Sequence, residues 1–312
     1  MNFHQALASF YRPLITGKDK IIMITPEFNS DVFAVQSWLE LYQKNDCLIK
    51  VPVENTAEAN DNIIEELERS KDVASVICMS AVSYVTGQFY DIKRIAECCR
   101  RNKIVLILQL AHAMGAVELK LHEWEVDCAV WCSYKYLNCC QGTVGGIFVH
   151  ENNFEAFPGL RGWFGVDKSV MFDIIPFYKK KVGAPAYQLS CVDPFQAARI
   201  SSSLDTIEKF GGIKAIMEKN GDLYDYVYER LTDLKIEILS PKERGQHGGH
   251  ISVVFDKSLK AKIMKLMDDR FLIVDFRDLN DSKFTVRAGL IAMYTDKADA
   301  DAFVDTFKEL LA

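Results

Sequence analysis

Several features of membrane, secreted and metal-binding proteins are missing from this sequence. No apolar run approaches the roughly 20 residues that span a bilayer, and the first thirteen residues lack the charged-then-apolar pattern of a secretory signal. The nine cysteines include two adjacent pairs but no CxxC spacing, so we expect reduced thiols and no metal site. Reduced thiols are typical of a cytosolic protein, and we expect no membrane contact.

The sequence also lacks an excess of basic residues. It has 43 acidic and 37 basic residues, which gives a net charge of −6, and its longest basic run is the lysine stretch 179–181. This balance argues against a nucleic-acid surface. No GxGxxG motif follows the first predicted strand, which argues against a generic dinucleotide-binding protein.

The 312 residues do contain a regular alternation of strand and helix patterns. Buried-type apolar runs alternate with stretches that have apolar residues at helical spacing, and Ser30 or Asp31 is placed to cap the first of these helices. The predicted strands are 19–28, 47–53, 73–82, 103–110 and 128–133, and the predicted helices are 30–45, 56–70 (capped at Thr56) and 91–102. This order predicts an α/β fold with a mostly parallel sheet flanked by helices.

The pattern changes after Pro194. Two long amphipathic helices, 195–212 and 213–234, precede three predicted strands and a closing helix. The strands are 248–256, 271–278 and 284–291, and the helix is 298–312. We therefore predict a large α/β domain over 1–195 and a smaller α+β domain over 196–312.

The strongest chemical signal is the stretch "WCSYKYLNCCQGTVGGIFVHE" at 131–151. Lys135 follows a short strand, stands among aromatic residues and precedes a glycine-rich segment. Burying a lysine is costly because its charged form loses hydration. This setting therefore favours a functional lysine, such as one that forms a Schiff base with pyridoxal phosphate (PLP). A lysine that extends from a loop into solvent is the structural alternative, and the spacing alone does not decide between them.

Longer stretches resemble the kynureninase family. "LAHAMGAVELKLHEWEVDCAVWCSYKYLN" is similar to the family's active-site segment, and the Ala-His-Ala-x-Gly and Ser-Tyr-Lys-Tyr-Leu-Asn elements together are highly specific. The resemblance continues in "FNSDVFAVQSWLELY", "MSAVSYVTGQFYDI", "PGLRGWFG" and "FTVRAGLIAMY". It is densest at 73–165 and thinnest at 180–270. It implies a PLP enzyme of fold type I in the aminotransferase class V group.

The resemblance implies roles for individual residues. Lys135 matches the lysine that carries PLP, and Tyr134 matches the tyrosine that contacts the cofactor phosphate and serves the proton transfers. Phe28 matches the aromatic residue that stacks on the pyridine ring. Asp31 matches the acid beside that aromatic residue.

Four further residues match family positions outside this group. Ser80 matches a serine near the cofactor, and His112 a histidine close to its ring. Trp163 matches a tryptophan that reaches the phosphate of the neighbouring subunit's cofactor, although a plain turn aromatic would also fit. Arg287 matches the arginine that grips the substrate's α-carboxylate, a task that suits a bidentate guanidinium. An arginine in an apolar strand in any case needs an anionic partner.

The sequence departs from the family at the position of the cofactor nitrogen. Gln109 ends a buried strand, where open α/β sheets place their ligands, and it stands in place of an aspartate that keeps the pyridine nitrogen protonated. Glutamine carries no charge to hold that proton. Losing a charge-assisted hydrogen bond of a few kcal/mol at this position would lower the rate by roughly several orders of magnitude.

Other departures concern the edges of the site. The resemblance starts just after the family's Leu-Thr phosphate-contact motif, so we expect the phosphate contacts to come from elsewhere, such as a partner chain. "AGLIAMY" lacks the family's paired prolines, and 190–196 is the nearest piece to its Asn-Pro-Pro substrate loop.

Two functions remain open. One is a kynureninase-like PLP-dependent hydrolase that cleaves the Cβ–Cγ bond of kynurenine or a related β-acyl amino acid. The other is a degenerate or repurposed relative, such as a scaffold, a partner subunit or an enzyme that does not use PLP. The first is favoured by retention of the following residues: Lys135, Tyr134, His112, Asp31 and Arg287. The second is favoured by Gln109 in place of the carboxylate and by the missing N-terminal phosphate contacts. Because 154–165 has four aromatic and two charged residues, we also expect a homodimer or a complementary partner chain.

Overall fold

The computed structural model describes residues 1–54, 57–174 and 178–311. The chain forms two compact units. The first comprises Met1–Ala81, Asp91–Ala111 and Leu119–Ser203, and the second comprises Val82–Tyr90, His112–Glu118 and Leu204–Ala312. Among the described helices, none combines the length and the apolar character that a membrane span requires.

The first unit is built on a six-stranded sheet with the order β2-β1-β3-β4-β5-β6. Its strands are β1 (Lys20–Thr25), β2 (Leu48–Pro52), β3 (Ala74–Ser80), β4 (Val105–Gln109), β5 (Cys128–Trp131) and β6 (Gly146–Val149). The first five run parallel, and β6 pairs antiparallel with β5. All seven residues of β3 are buried, as expected for a central strand covered on both faces. The predicted α/β fold with a mostly parallel sheet is confirmed.

Parallel pairing brings the carboxyl ends of these strands to one edge of the sheet. Gln109 is the last residue of β4 and Ser80 the last of β3, and their backbones are paired in register. Thr25 ends β1 immediately before Pro26, which has no N–H to continue the ladder. The segments that leave the sheet at this edge therefore converge, and they form the site described below.

The helices of the first unit are α1 (Asn2–Phe10), α2 (Pro13–Thr16), α3 (Asn29–Leu41), α4 (Ala59–Arg69), α5 (Ile92–Asn102) and the start of α6 (Pro194–Phe210). The three helices predicted for the α/β region are present in the predicted order as α3, α4 and α5, whereas α1 and α2 were not predicted from the residue pattern. The prediction that Ser30 or Asp31 caps α3 is wrong, because the helix begins one residue before them and Phe28 occupies the N-cap position. The predicted cap of α4 at Thr56 lies outside the described residues. Asp91 caps α5 by accepting a hydrogen bond from the Arg94 N–H at 3.1 Å.

The second unit contains an antiparallel sheet with the order β7-β8-β10-β9. Its elements are α7 (Gly212–Asp233), β7 (Glu237–Ile238), β8 (His250–Asp256), α8 (Lys260–Asp269), β9 (Asp275–Asp278), β10 (Lys283–Gly289) and α9 (Lys297–Leu311). Gly211, with a φ of 111°, separates α6 from α7 in a conformation that glycine adopts without strain. The three predicted strands and the closing helix are present.

One helix of the second unit was not predicted. In α8 the apolar residues Ile263 and Met267 are buried, four residues apart on one face, and they join the core formed with Phe284 and Phe307. The predicted domain boundary between residues 195 and 196 stays a prediction.

Candidate functional site

The first unit has a cavity of about 490 Å³ at the carboxyl ends of its parallel strands. This volume lies within the range of small-molecule sites. The walls come from the first turn of α1, the segment between β1 and α3, the end of β4 and the segments before and after Lys135. Of the predicted site residues, the following line it: Phe28, Asp31, Gln109, Tyr134 and Lys135.

Lys135 and Phe28 bring an amine and an aromatic face together in this cavity. The Lys135 Nζ lies 5.7 Å from the centroid of the Phe28 ring. Phe28 stands at the N-cap position of α3, and Lys135 follows β5 in the chain, so two converging segments supply the pair. Attraction between the ring face and the ammonium helps to hold the lysine at the cavity. The arrangement offers a nucleophilic amine beside a surface on which a planar ring can stack.

Asp31 places a carboxyl group at the same cavity. It lies in the first turn of α3 with 8% of its surface exposed, and its Oδ2 makes no hydrogen bond to the residues that the structure describes. Burial and the neighbouring Glu27 carboxyl raise the pKa of Asp31 to about 7, while Lys135 opposes this shift. Such a group can exchange a proton near neutral pH, and it offers a bound ligand an unsatisfied oxygen.

Glu27 is a buried acid that the sequence reasoning missed. Its Oε2 accepts a hydrogen bond from the Ser80 N–H at 2.7 Å, and its Oε1 accepts from the Ser80 hydroxyl at 2.7 Å and from the Phe28 N–H at 2.9 Å. Burial raises the pKa of Glu27. Ser80 therefore fixes Glu27 and, through it, the start of α3; Ser80 is not among the residues that line the cavity. Its predicted contact with the cofactor stays a prediction.

The orientation of the Gln109 side-chain amide is fixed by a hydrogen bond to the backbone. Its Oε1 accepts a hydrogen bond from the Ala111 N–H at 2.6 Å. Because a backbone N–H can only donate, the side-chain atom that meets it must be the oxygen. The amide nitrogen makes no hydrogen bond to the described residues, so Gln109 offers the cavity a donor where the family has an acceptor carboxylate.

Tyr134 is half exposed at the rim of the cavity. Burial of its ring, a hydrogen bond with Cys132 and the negative charge of Asp31 raise the pKa of its phenol. The hydroxyl therefore keeps its proton at neutral pH, as a group that donates a proton or a hydrogen bond must.

Trp163 lies apart from the cavity lining. It begins a short 3₁₀ helix, 51% of its surface is exposed, and its indole N–H donates to the Met171 carbonyl at 2.9 Å. The ring packs edge to face against Phe164 and Phe172. Its predicted contact with a neighbouring subunit stays a prediction.

The remaining predicted residues belong to the second unit. Arg287 in β10 pairs with Asp275 of the adjacent strand β9, through Nε at 2.8 Å from Oδ2 and through a second guanidinium nitrogen. It also donates to the Tyr84 carbonyl. The anionic partner expected for this arginine is thus supplied by the chain itself. The His112 ring packs against the His250 ring with centroids 5.3 Å apart.

Comparison with known proteins identifies the family of this chain. The aminotransferase class-V family profile matches residues 3–303. Kynureninase 2 of Neurospora crassa is 31% identical over 333 residues, an alignment that covers 99% of this chain and 70% of the relative. The chain belongs to the kynureninase family. The kynureninase of Dictyostelium discoideum is 33% identical, with 99% and 70% coverage, and that of Debaryomyces hansenii is 34% identical, with 88% and 66% coverage.

Solved structures support the fold. An apo cysteine desulfurase from Thermococcus onnurineus NA1 superposes with a TM-score of 0.80 at 18% identity and covers 99% of this chain and 76% of its own. The cysteine desulfurase CsdA from Escherichia coli gives 0.79 at 17% identity, with the same coverage. At these identities the likeness concerns the fold, and the predicted fold type I architecture of this kynureninase-family chain is confirmed.

Proposed function

We propose that this chain is a PLP-dependent hydrolase that cleaves the Cβ–Cγ bond of kynurenine or a related β-acyl amino acid. One observation carries the proposal: Lys135 places its amine beside the Phe28 ring, in the cavity that five of the predicted site residues line. Membership of the kynureninase family indicates the reaction in which such an amine would take part.

The residues around the cavity fit PLP. Lys135 offers the amine that would hold it covalently, and Phe28 offers a face for its ring. The Asp31 Oδ2, which has no hydrogen-bond partner in the described part of the chain, offers a polar contact. When bound, PLP supplies an electron sink for the carbanion that forms next to the substrate's amino group.

The side chains of this protein would then position the substrate and move protons. Tyr134 keeps a proton at neutral pH and can deliver it to a leaving carbon or oxygen. Asp31, with a pKa of about 7, can accept or release a proton in the same range. Arg287 would bind the substrate's α-carboxylate, although this requires the carboxylate to compete with Asp275 or to share the guanidinium with it. Hydrolysis adds water across the Cβ–Cγ bond, which converts the acyl group to a carboxylic acid and leaves alanine.

Gln109 favours the second candidate function, a repurposed relative with weak or altered chemistry. An amide donor stabilises an unprotonated ring nitrogen, which is a weaker electron sink than a protonated one. A chain with this residue can keep the cofactor in place and still turn over slowly. Measured turnover separates the two functions.

We also propose that the protein acts as a homodimer in the cytosol, with a complementary partner chain as the alternative. Apolar side chains near Trp163 are exposed to solvent, including Phe172 at 84% and Ile174, and a partner would cover them. Light scattering that gives a stable monomer at micromolar concentration would contradict this assembly.

The activity test is incubation of the PLP-loaded protein with L-kynurenine, followed by detection of the aromatic acid and alanine in equal amounts. The matched control is Lys135→Ala, which removes the amine from the cavity and leaves the other cavity residues unchanged. We expect product with the unchanged protein and none with the variant. Absence of product from a protein that binds PLP at Lys135 would favour the repurposed relative.

A further inference from the structure

His4 lines the cavity, although no sequence motif pointed to it. It is the third residue of α1, and its ring accepts a hydrogen bond from Trp38 of α3. We propose that His4 is a binding residue that donates a hydrogen bond from Nε2 to an acceptor oxygen of the ligand held beside Lys135. The identity of that ligand rests on the proposed function; the donor role rests on the geometry below.

The tautomer of His4 follows from its partner. The Trp38 Nε1–H donates to the His4 Nδ1 at 3.1 Å. An indole nitrogen can only donate, so Nδ1 must carry a lone pair and not a proton. A neutral imidazole has one N–H, which therefore lies on Nε2, on the other side of the ring.

Burial favours the neutral form of His4. Because the ring is partly buried, its pKa is lowered from the ordinary value for histidine. A doubly protonated ring would also lose the hydrogen bond from Trp38, because two N–H groups would face each other.

His4 is therefore an uncharged hydrogen-bond donor whose proton is held on Nε2. Nδ1 is occupied by the hydrogen bond from Trp38, which is not among the cavity residues, so Nε2 is the nitrogen left for the ligand. It can bind an oxygen of a phosphate, a phenolate or a carbonyl group, and it cannot bind another donor. Trp38 acts as a positioning residue, since it selects which nitrogen of His4 carries the proton.

The first test is long-range ¹H–¹⁵N NMR of the protein labelled at histidine. We expect the Nε2–H tautomer for His4 in the protein without ligand, and a mixture with the Nδ1–H tautomer in Trp38→Phe. Three probes are then added separately: PLP, pyridoxal and inorganic phosphate. A shift of the His4 signals with PLP and phosphate identifies a phosphate oxygen as the acceptor, and a shift with PLP and pyridoxal identifies a ring oxygen. The exposed His122 serves as the internal control.

The second test compares two variants at the same position. His4→Gln keeps a side-chain donor, whereas His4→Leu removes it at similar volume. We expect His4→Leu to weaken PLP binding roughly 3- to 10-fold and His4→Gln to stay within about twofold of the unchanged protein. Equal loss in both variants would indicate a packing role and overturn the proposal.

Peptide mapping after borohydride reduction separates this inference from the proposed function. A cofactor that is not captured by Lys135 contradicts the proposed function alone, because the tautomer and the three probe responses are read independently of capture. An Nδ1–H tautomer, or His4 signals that none of the three probes moves, would overturn the donor role even in a protein that captures PLP at Lys135.

Discussion

Asp31 in the first unit and Arg287 in the second are both ionisable groups with little exposure, but their partners differ. The Asp31 Oδ2 is buried without a hydrogen bond to any described residue. The Arg287 guanidinium binds the Asp275 carboxylate and the Tyr84 carbonyl. The Asp31 carboxyl therefore has an oxygen without a hydrogen-bond donor among the described residues, whereas Arg287 has its acceptors within the chain.

The difference bears on how each region would bind a ligand. A ligand that satisfies Asp31 removes a desolvation cost that the protein alone bears, so binding and folding stability are coupled there. A substrate carboxylate at Arg287 replaces one anionic partner by another, and the net gain is small. The first unit is therefore expected to respond strongly to substitution and pH, and the second weakly.

The largest expected effect is the pH dependence that Asp31 imposes on stability. Its pKa is about 7 in the folded protein and near its ordinary value when unfolded, so between these values the folded state holds the extra proton. Stability is then lost as the pH rises towards the folded pKa. The amide in Asp31→Asn does not titrate, so the variant does not lose stability in this way. Its free energy of unfolding, relative to that of the unchanged protein, should therefore rise by roughly 3 kcal/mol between pH 5 and pH 8.

Urea unfolding of the PLP-free proteins at several pH values measures this difference. Asp61→Asn, at an exposed carboxylate of the same unit, is the control and should show no comparable trend. A constant difference between Asp31→Asn and the unchanged protein over this pH range would mean that Asp31 ionises as an ordinary surface acid.

The second effect concerns the amide at the end of β4. Gln109→Asp replaces a neutral donor by a carboxylate that can hold the ring nitrogen of PLP in its protonated form. We expect PLP binding to tighten by about 1.5 to 3 kcal/mol and any C–C cleavage to become faster. Titration with PLP followed by visible absorbance gives the affinity. Gln109→Asn is the control, since it keeps the amide and adds no charge. Unchanged or weaker binding by Gln109→Asp would place Gln109 in a reorganised pocket with other chemistry.

Local sequence patterns predicted most of the fold. The buried-type apolar run 73–82 and the alternation of strands with amphipathic helices were sufficient to predict the parallel sheet. The structure buries all seven residues of β3 within that run. The start of α3 was predicted wrongly because Ser30 and Asp31 are favourable caps in isolation. In the structure Glu27 accepts a hydrogen bond from the Phe28 N–H, and the helix begins earlier in the chain, at Asn29. The helix α8 was missed, although Ile263 and Met267 have helical spacing.

The site was predicted in part. The family resemblance identified Lys135 and Phe28, whose proximity the local pattern alone left open. The Glu27–Ser80 pair was missed because its members are 53 residues apart and meet only through the neighbouring strands β1 and β3. Likewise the Asp275 partner of Arg287 depends on the register of β9 against β10, which sequence patterns do not specify.

The smallest expected effect concerns the second unit. Asp275→Asn removes the charged partner of Arg287, and because Asp275 is 41% exposed we expect the free energy of unfolding to fall by only about 1 kcal/mol. If Arg287 binds the substrate carboxylate, the KM for L-kynurenine should fall roughly threefold with little change in kcat. Asp278→Asn, on the same strand but paired with Lys257 and Lys260, is the control. An unchanged or higher KM in Asp275→Asn would leave Arg287 a structural ion pair.

The most direct test of the account is the position at which the protein captures PLP. The protein is saturated with PLP, treated with borohydride to fix any cofactor bound through an amine, digested and mapped by mass spectrometry. We predict that the label lies on Lys135, that Lys135→Ala carries none, and that this variant lacks the visible absorbance of the bound cofactor. Label on another lysine, or no label at saturating PLP, would contradict the assignment of this cavity as a PLP site.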